Sequence, residues 1–152
     1  MKKIIVIFGI ILLNSCGFKV VQNEQFNRYY ISQINTEGDN KINYRIKNKI
    51  ITSSNKTDKI PVIINLETRK VKSIKEKNIK NEITKYNLKI EVTANIRLLD
   101  LPALQNFKIS KTGSYSVADR FTDTRDNENK LTKNLANDVA KDIKKQLSLI
   151  LE

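Results

Sequence analysis

Residues 86–98 read YNLKIEVTANIRL, thirteen positions that alternate without a break. Tyr86, Leu88, Ile90, Val92, Ala94, Ile96 and Leu98 share one parity, and Asn87, Lys89, Glu91, Thr93, Asn95 and Arg97 share the other. Successive side chains of a strand point to opposite faces, so this is a strand with one dry face and one wet face. Such a strand needs a second layer to cover its apolar side.

The segment RDNENKLTKNLANDVAKDIKKQLSLILE, from residue 125 onward, supplies that layer. Leu131, Leu135, Val139, Ile143 and Leu147 recur every four residues, and Ala136, Ala140 and Ile150 widen the same stripe. Asp126 and Glu128 come early and Lys141, Lys144 and Lys145 late, the order a helix dipole favours. Ile42, Ile46 and Ile50 mark a shorter amphipathic helix, capped by Asp39 or Asn40 and ending in Thr52-Ser53-Ser54-Asn55. Three further strands are predicted: Tyr29–Ile34 before a turn at Glu37-Gly38-Asp39-Asn40, about Val62–Ser73, and about Asn106–Ser116, interrupted or bulged near Gly113. Asp100-Leu101-Pro102 ends the alternating strand, and the charged run KEKNIKNE is a hairpin tip. The order is β-α-β-β-β-α. Its economical solution is an α+β two-layer sandwich, with two helices on one face of a four-stranded, mainly antiparallel sheet and a polar face opposite.

The amino terminus carries a different signal. Lys2 and Lys3 precede an apolar run from Ile4 to Leu13. Ten residues make about 15 Å of helix, against roughly 30 Å of hydrocarbon, so the run is too short to span a bilayer. It has the make-up of an export signal, and Leu13-Asn14-Ser15-Cys16 follows where cleavage belongs. This segment resembles a bacterial lipoprotein signal, in which the cysteine is acylated and becomes the first residue of the mature chain. Cys16 is thus the expected lipidation site, and two or more acyl chains anchor stably where one is marginal. The only thiol of an exported chain has no partner for an internal disulfide. The expected organisation is a signal at 1–15, a tether at 16–28 and a single domain at 29–152. The 137 residues left after cleavage suit one core.

Charge and chemistry narrow the function. The chain carries +12, or +10 without Lys2 and Lys3, and a basic surface favours polyanions. Lysine outnumbers arginine 22 to 6 throughout, so local clusters say more than the total. The chain has no histidine, which removes imidazole as acid, base or metal ligand, and lipidation would consume the only thiol. No phosphate loop, nucleophile elbow or metal-ligand spacing is present. Asp123 and Asp126 lie where helix capping is expected rather than catalysis. A non-enzymatic protein without metal or cofactor is expected. A nucleic-acid module is disfavoured, because no aromatics are clustered among the lysines and export sends the chain elsewhere.

Taken together, Cys16-Gly17-Phe18-Lys19, the Tyr86–Leu98 strand, Tyr115-Ser116 leading to Phe121, and Arg125-Asp126-Asn127-Glu128 ahead of a helix reaching Leu147 resemble the lipopolysaccharide-assembly lipoproteins of the outer membrane. That resemblance runs over roughly residues 16–148. It implies the same two-layer fold and a lipid-anchored protein on the periplasmic side of the outer membrane. It further implies that the protein plugs and helps assemble a β-barrel lipopolysaccharide translocon and contacts lipopolysaccharide. The alternatives are another lipid-anchored envelope scaffold unrelated to lipopolysaccharide, or an exported hydrolase. Contact with a phosphorylated glycolipid calls for clustered cations. Arg69, Lys70, Lys72, Lys75, Lys77 and Lys80 form one cluster, and Arg125, at the entrance to the last helix, is a second candidate. Lys77, Lys80 and Arg125 are the expected contacts; a solvated charged face, or pairing with acidic groups inside a barrel, are the other readings of these cations.

Overall fold

A computed structural model of the chain describes residues 29–51, 59–99 and 104–151. The signal, Cys16, the tether, the Thr52–Asn55 run and the Asp100-Leu101-Pro102 break lie outside the described residues. The elements are β1 (Tyr29–Gly38), α1 (Asn40–Ile50), β2 (Ile60–Lys77), β3 (Ile83–Leu98), β4 (Leu104–Ser116) and α2 (Phe121–Leu151). The sheet order is β1-β2-β3-β4. β1 runs parallel to β2, and the other two pairs are antiparallel. Parallel neighbours need a crossover, and α1 provides it.

β3 buries the predicted parity: Leu88, Ile90, Val92, Ala94, Ile96 and Leu98 are all nearly inaccessible. Its register carries the same face onto Val62, Ile64 and Leu66 of β2. Against this face pack Ile42, Ile46 and Ile50 of α1 and Leu135, Ala136, Val139, Ala140, Ile143, Leu147 and Leu151 of α2. The opposite face is polar. Asn35, Asn65, Asn95 and Asn106 stand in register across all four strands, with Asn35 Nδ2 donating to Asn65 Oδ1 at 2.7 Å.

Several boundaries differ from expectation. β1 continues through the expected turn to Gly38, and Asp39 alone forms the cap, its carboxylate accepting from the Lys41 and Ile42 N–H groups at 3.0 Å. Gly38 has φ +96°, and a Cβ there would fall on the Thr68 carbonyl oxygen, so the position requires glycine. Beneath it, Thr68 Oγ1 donates to Asn43 Oδ1 at 2.8 Å and Asn43 Nδ2 to the Glu37 carbonyl at 3.1 Å, which satisfies the buried polar groups where β1, α1 and β2 meet.

No bulge occurs at Gly113, which pairs squarely with Leu88. The glycine instead admits the last helix, since a Cβ would stand 2.7 Å from Leu131 Cδ1. Register shifts fall at Ile31/Gln33 and between Ile74 and Lys77. α2 begins at Phe121, so Arg125 lies inside the helix in its second turn rather than at its entrance. β1 ends opposite Thr68. Beyond that point β2 is a sheet edge, where charged side chains and bulges keep other strands from pairing.

Candidate functional site: the basic end of the sheet

The six cations of the β2 cluster do not act together, because strand parity divides them. Lys70 and Lys72 continue the inner parity of Val62, Ile64, Leu66 and Thr68, pairing with Ile90 and Leu88. They therefore point towards α2, where Glu128 receives both. Lys70 Nζ donates to Glu128 Oε1 at 2.6 Å and Lys72 Nζ to Oε2 at 2.9 Å. The Tyr115 hydroxyl donates to the same Oε2 at 2.7 Å. Lys72 Nζ also stands 4.1 Å from the centroid of the Tyr86 ring, which stacks on Tyr115 at 5.7 Å.

Burial acts to raise the Glu128 carboxyl, but the hydrogen bonds from Lys70, Lys72 and Tyr115 outweigh it and bring its pKa down to about 2. The Tyr115 hydroxyl and the Glu128 carboxylate hold Lys72 well above the ordinary lysine range. Burial pushes the Tyr115 hydroxyl up. This closed set of charges ties β2, β4 and α2 together. On the edge side, Lys111 Nζ and Asp142 Oδ2, 2.6 Å apart, join β4 to α2 again.

The expected contact residues lie beyond this clamp. Lys77 closes β2 and donates to Asn81 Oδ1 at 2.8 Å. Lys80 lies in the turn between β2 and β3, and its amine makes no hydrogen bond or ion pair among the described residues. Lys75 leaves the cluster to donate to Ser114 Oγ at 3.1 Å. Arg125 is exposed on α2, likewise without a protein partner among the described residues. The Val117 N–H donates to the Thr84 carbonyl at 2.9 Å, so the end of β4, the start of α2 and the β2–β3 hairpin share one end of the molecule. Lys77, Lys80 and Arg125 thus lie at that one end. Asp123 sits in the first turn of α2 and accepts from Arg120 Nε at 2.9 Å; Asp126 is one turn on.

Glu128 is the residue that sequence reading missed as a partner. It stands three, four and seven positions before Leu131, Thr132 and Leu135, so it falls on the apolar stripe of the helix. A carboxylate on a core-facing stripe, with lysines on the core-facing parity of a strand, was a legible signal. Among the described residues no cluster of acidic, histidine or cysteine side chains could hold a metal ion, and no helix is long and apolar enough to cross a membrane.

No protein-family model matches the sequence, and no curated protein matches it in sequence. Solved structures do match in shape. The rare lipoprotein B of Shewanella oneidensis superposes with a TM-score of 0.59 at 14% identity, over 78% of this chain and 95% of that one. Lipoprotein B of Nitrosomonas europaea gives 0.54 at 18% identity, over 89% of this chain and 92% of that one. At such identities the likeness is one of fold, and the α+β two-layer fold of this chain is that of these bacterial lipoproteins.

Proposed function

We propose that this chain is a non-enzymatic lipoprotein of the outer membrane, anchored through acyl chains on Cys16. It seats in a β-barrel lipopolysaccharide translocon, helps that barrel assemble, and contacts lipopolysaccharide on its way to the outer leaflet. The observation that carries the reading is a coincidence: a segment resembling a lipoprotein signal, ending in the chain's only cysteine, precedes a fold shared with bacterial lipoproteins over nearly their whole length. The exposed cations Lys77, Lys80 and Arg125 at one end of the sheet suit phosphates and acidic sugars. The strongly shifted groups Glu128 and Lys72 are spent on each other and hold elements together, which supports a binding role over a catalytic one.

Two measurements test it. The lipidated protein, extracted from membranes in mild detergent, should bring a large β-barrel protein with it. Recovery alone would leave a lipid-anchored scaffold unrelated to lipopolysaccharide. Replacing Lys77, Lys80 and Arg125 together with Ala should weaken lipopolysaccharide binding while leaving the far-ultraviolet circular dichroism unchanged. Unaltered binding would remove these residues from the site.

A further inference from the structure

Ile79 occupies the apex of the β2–β3 hairpin and is fully exposed, at 103% of its reference area. A lone exposed isoleucine is ordinary, but the setting of this one is not. Turn positions favour Asn, Asp, Gly and Ser, and here the asparagines on either side build a brace around the isoleucine. Asn78 Oδ1 accepts from the Lys80 N–H at 2.9 Å and the Glu82 N–H at 3.0 Å. Asn78 Nδ2 donates to Glu82 Oε2 at 2.7 Å, and the Asn81 N–H donates to the Asn78 carbonyl at 2.9 Å. Asn81 takes the left-handed conformation, φ 64°, that asparagine tolerates. The turn is held in one shape, and that shape presents an apolar side chain outward.

The surroundings are basic. Residues 75–85 hold Lys75, Lys77, Lys80 and Lys85 against Glu76 and Glu82. Glu76 is paired with Lys85 at 2.8 Å and Glu82 is engaged by Asn78, so the acidic groups are occupied while the Lys80 amine has no partner among the described residues. A second apolar side chain, Ile74, is half-exposed further down the same hairpin. An apolar tip ringed by cations is complementary to a ligand with acyl chains directly beneath phosphates.

We propose that this hairpin is a lipid-inserting finger: Ile79 enters the acyl region of lipopolysaccharide while Lys77 and Lys80 meet its phosphates. The proposal rests on the lipopolysaccharide reading above and adds the apolar contact to it. The chain has no tryptophan, so Ile79→Trp places a single reporter at the apex. Tyr44→Trp, at an exposed position on α1, is the control. Each lipidated protein is held in phosphatidylcholine vesicles and titrated with purified lipopolysaccharide.

The finger requires the emission of Ile79→Trp to shift to the blue on addition of lipopolysaccharide, with Tyr44→Trp unmoved. Ile79→Ser should then weaken lipopolysaccharide binding about tenfold, as expected for removing one partly inserted aliphatic side chain. Unshifted emission from an Ile79→Trp protein that still co-sediments with lipopolysaccharide overturns the finger and leaves the broader reading intact. Absence of both shift and co-sedimentation overturns both. A blue shift on phosphatidylcholine alone overturns the choice of ligand, since the tip would then enter any bilayer.

Discussion

Glu128 shows how much one carboxylate can organise. It accepts from two lysines and a tyrosine contributed by two strands, and its side chain retains 20% of its exposure. Its carboxyl titrates near 2 in the folded chain against an ordinary 4.5. The folded state therefore binds fewer protons than the unfolded state between those values. The stability this group contributes is complete above about pH 5 and is lost as pH falls towards about 2. Glu128→Gln should lower stability at neutral pH by about 1–2 kcal/mol. It should also flatten the fall in the urea midpoint between pH 5 and pH 3. An unchanged acid slope would assign that fall to other carboxylates. The sequence placed Lys70 and Lys72 in a cation cluster but did not reveal that Glu128 engages both, because strand and helix meet only when α2 docks.

At the level of elements, the docking of α2 depends on what β4 leaves out. Gly113 is a place where a strand residue without a side chain lets Leu131 approach. The strand pattern alone suggests a bulge at this glycine, the commoner reason for glycine in a strand. Close approach of a helix leaves no local trace in the strand itself. Gly113→Val should improve strand propensity yet cost about 1–3 kcal/mol by overpacking against Leu131. The guanidinium-chloride midpoint checks this, and a midpoint equal to or above that of the parent would mean that α2 tolerates displacement. The helix stripes, by contrast, were legible: Ile42, Ile46 and Ile50, and Leu135 through Leu147, are buried as their spacing required. The start of α2 was missed because Phe121-Thr122-Asp123-Thr124 carries no apolar stripe, and β1 ran past its turn signal because Thr36–Gly38 gain ladder partners in β2.

Across the whole molecule, the contacts expected from sequence sit at one end, and β1 begins thirteen residues after Cys16. Cys16→Ser should abolish incorporation of labelled palmitate. It should leave the melting temperature of the folded body unchanged, because the described core is built from side chains of β1 through α2. Retained labelling would place the acyl chain elsewhere. The fold class, the strand with one dry face, the two helical stripes and the cation-rich hairpin followed from the sequence because periodicity is local: each is written in residues two to four positions apart. Tertiary structure decided which cations remain available. Lys70 and Lys72 are engaged by Glu128, more than fifty residues away, while the side chains of Lys80 and Arg125 have no partner among the described residues and Ile79 is held outward by its own turn. Pairing across that distance depends on strand register and helix docking, and no short window of sequence encodes either one.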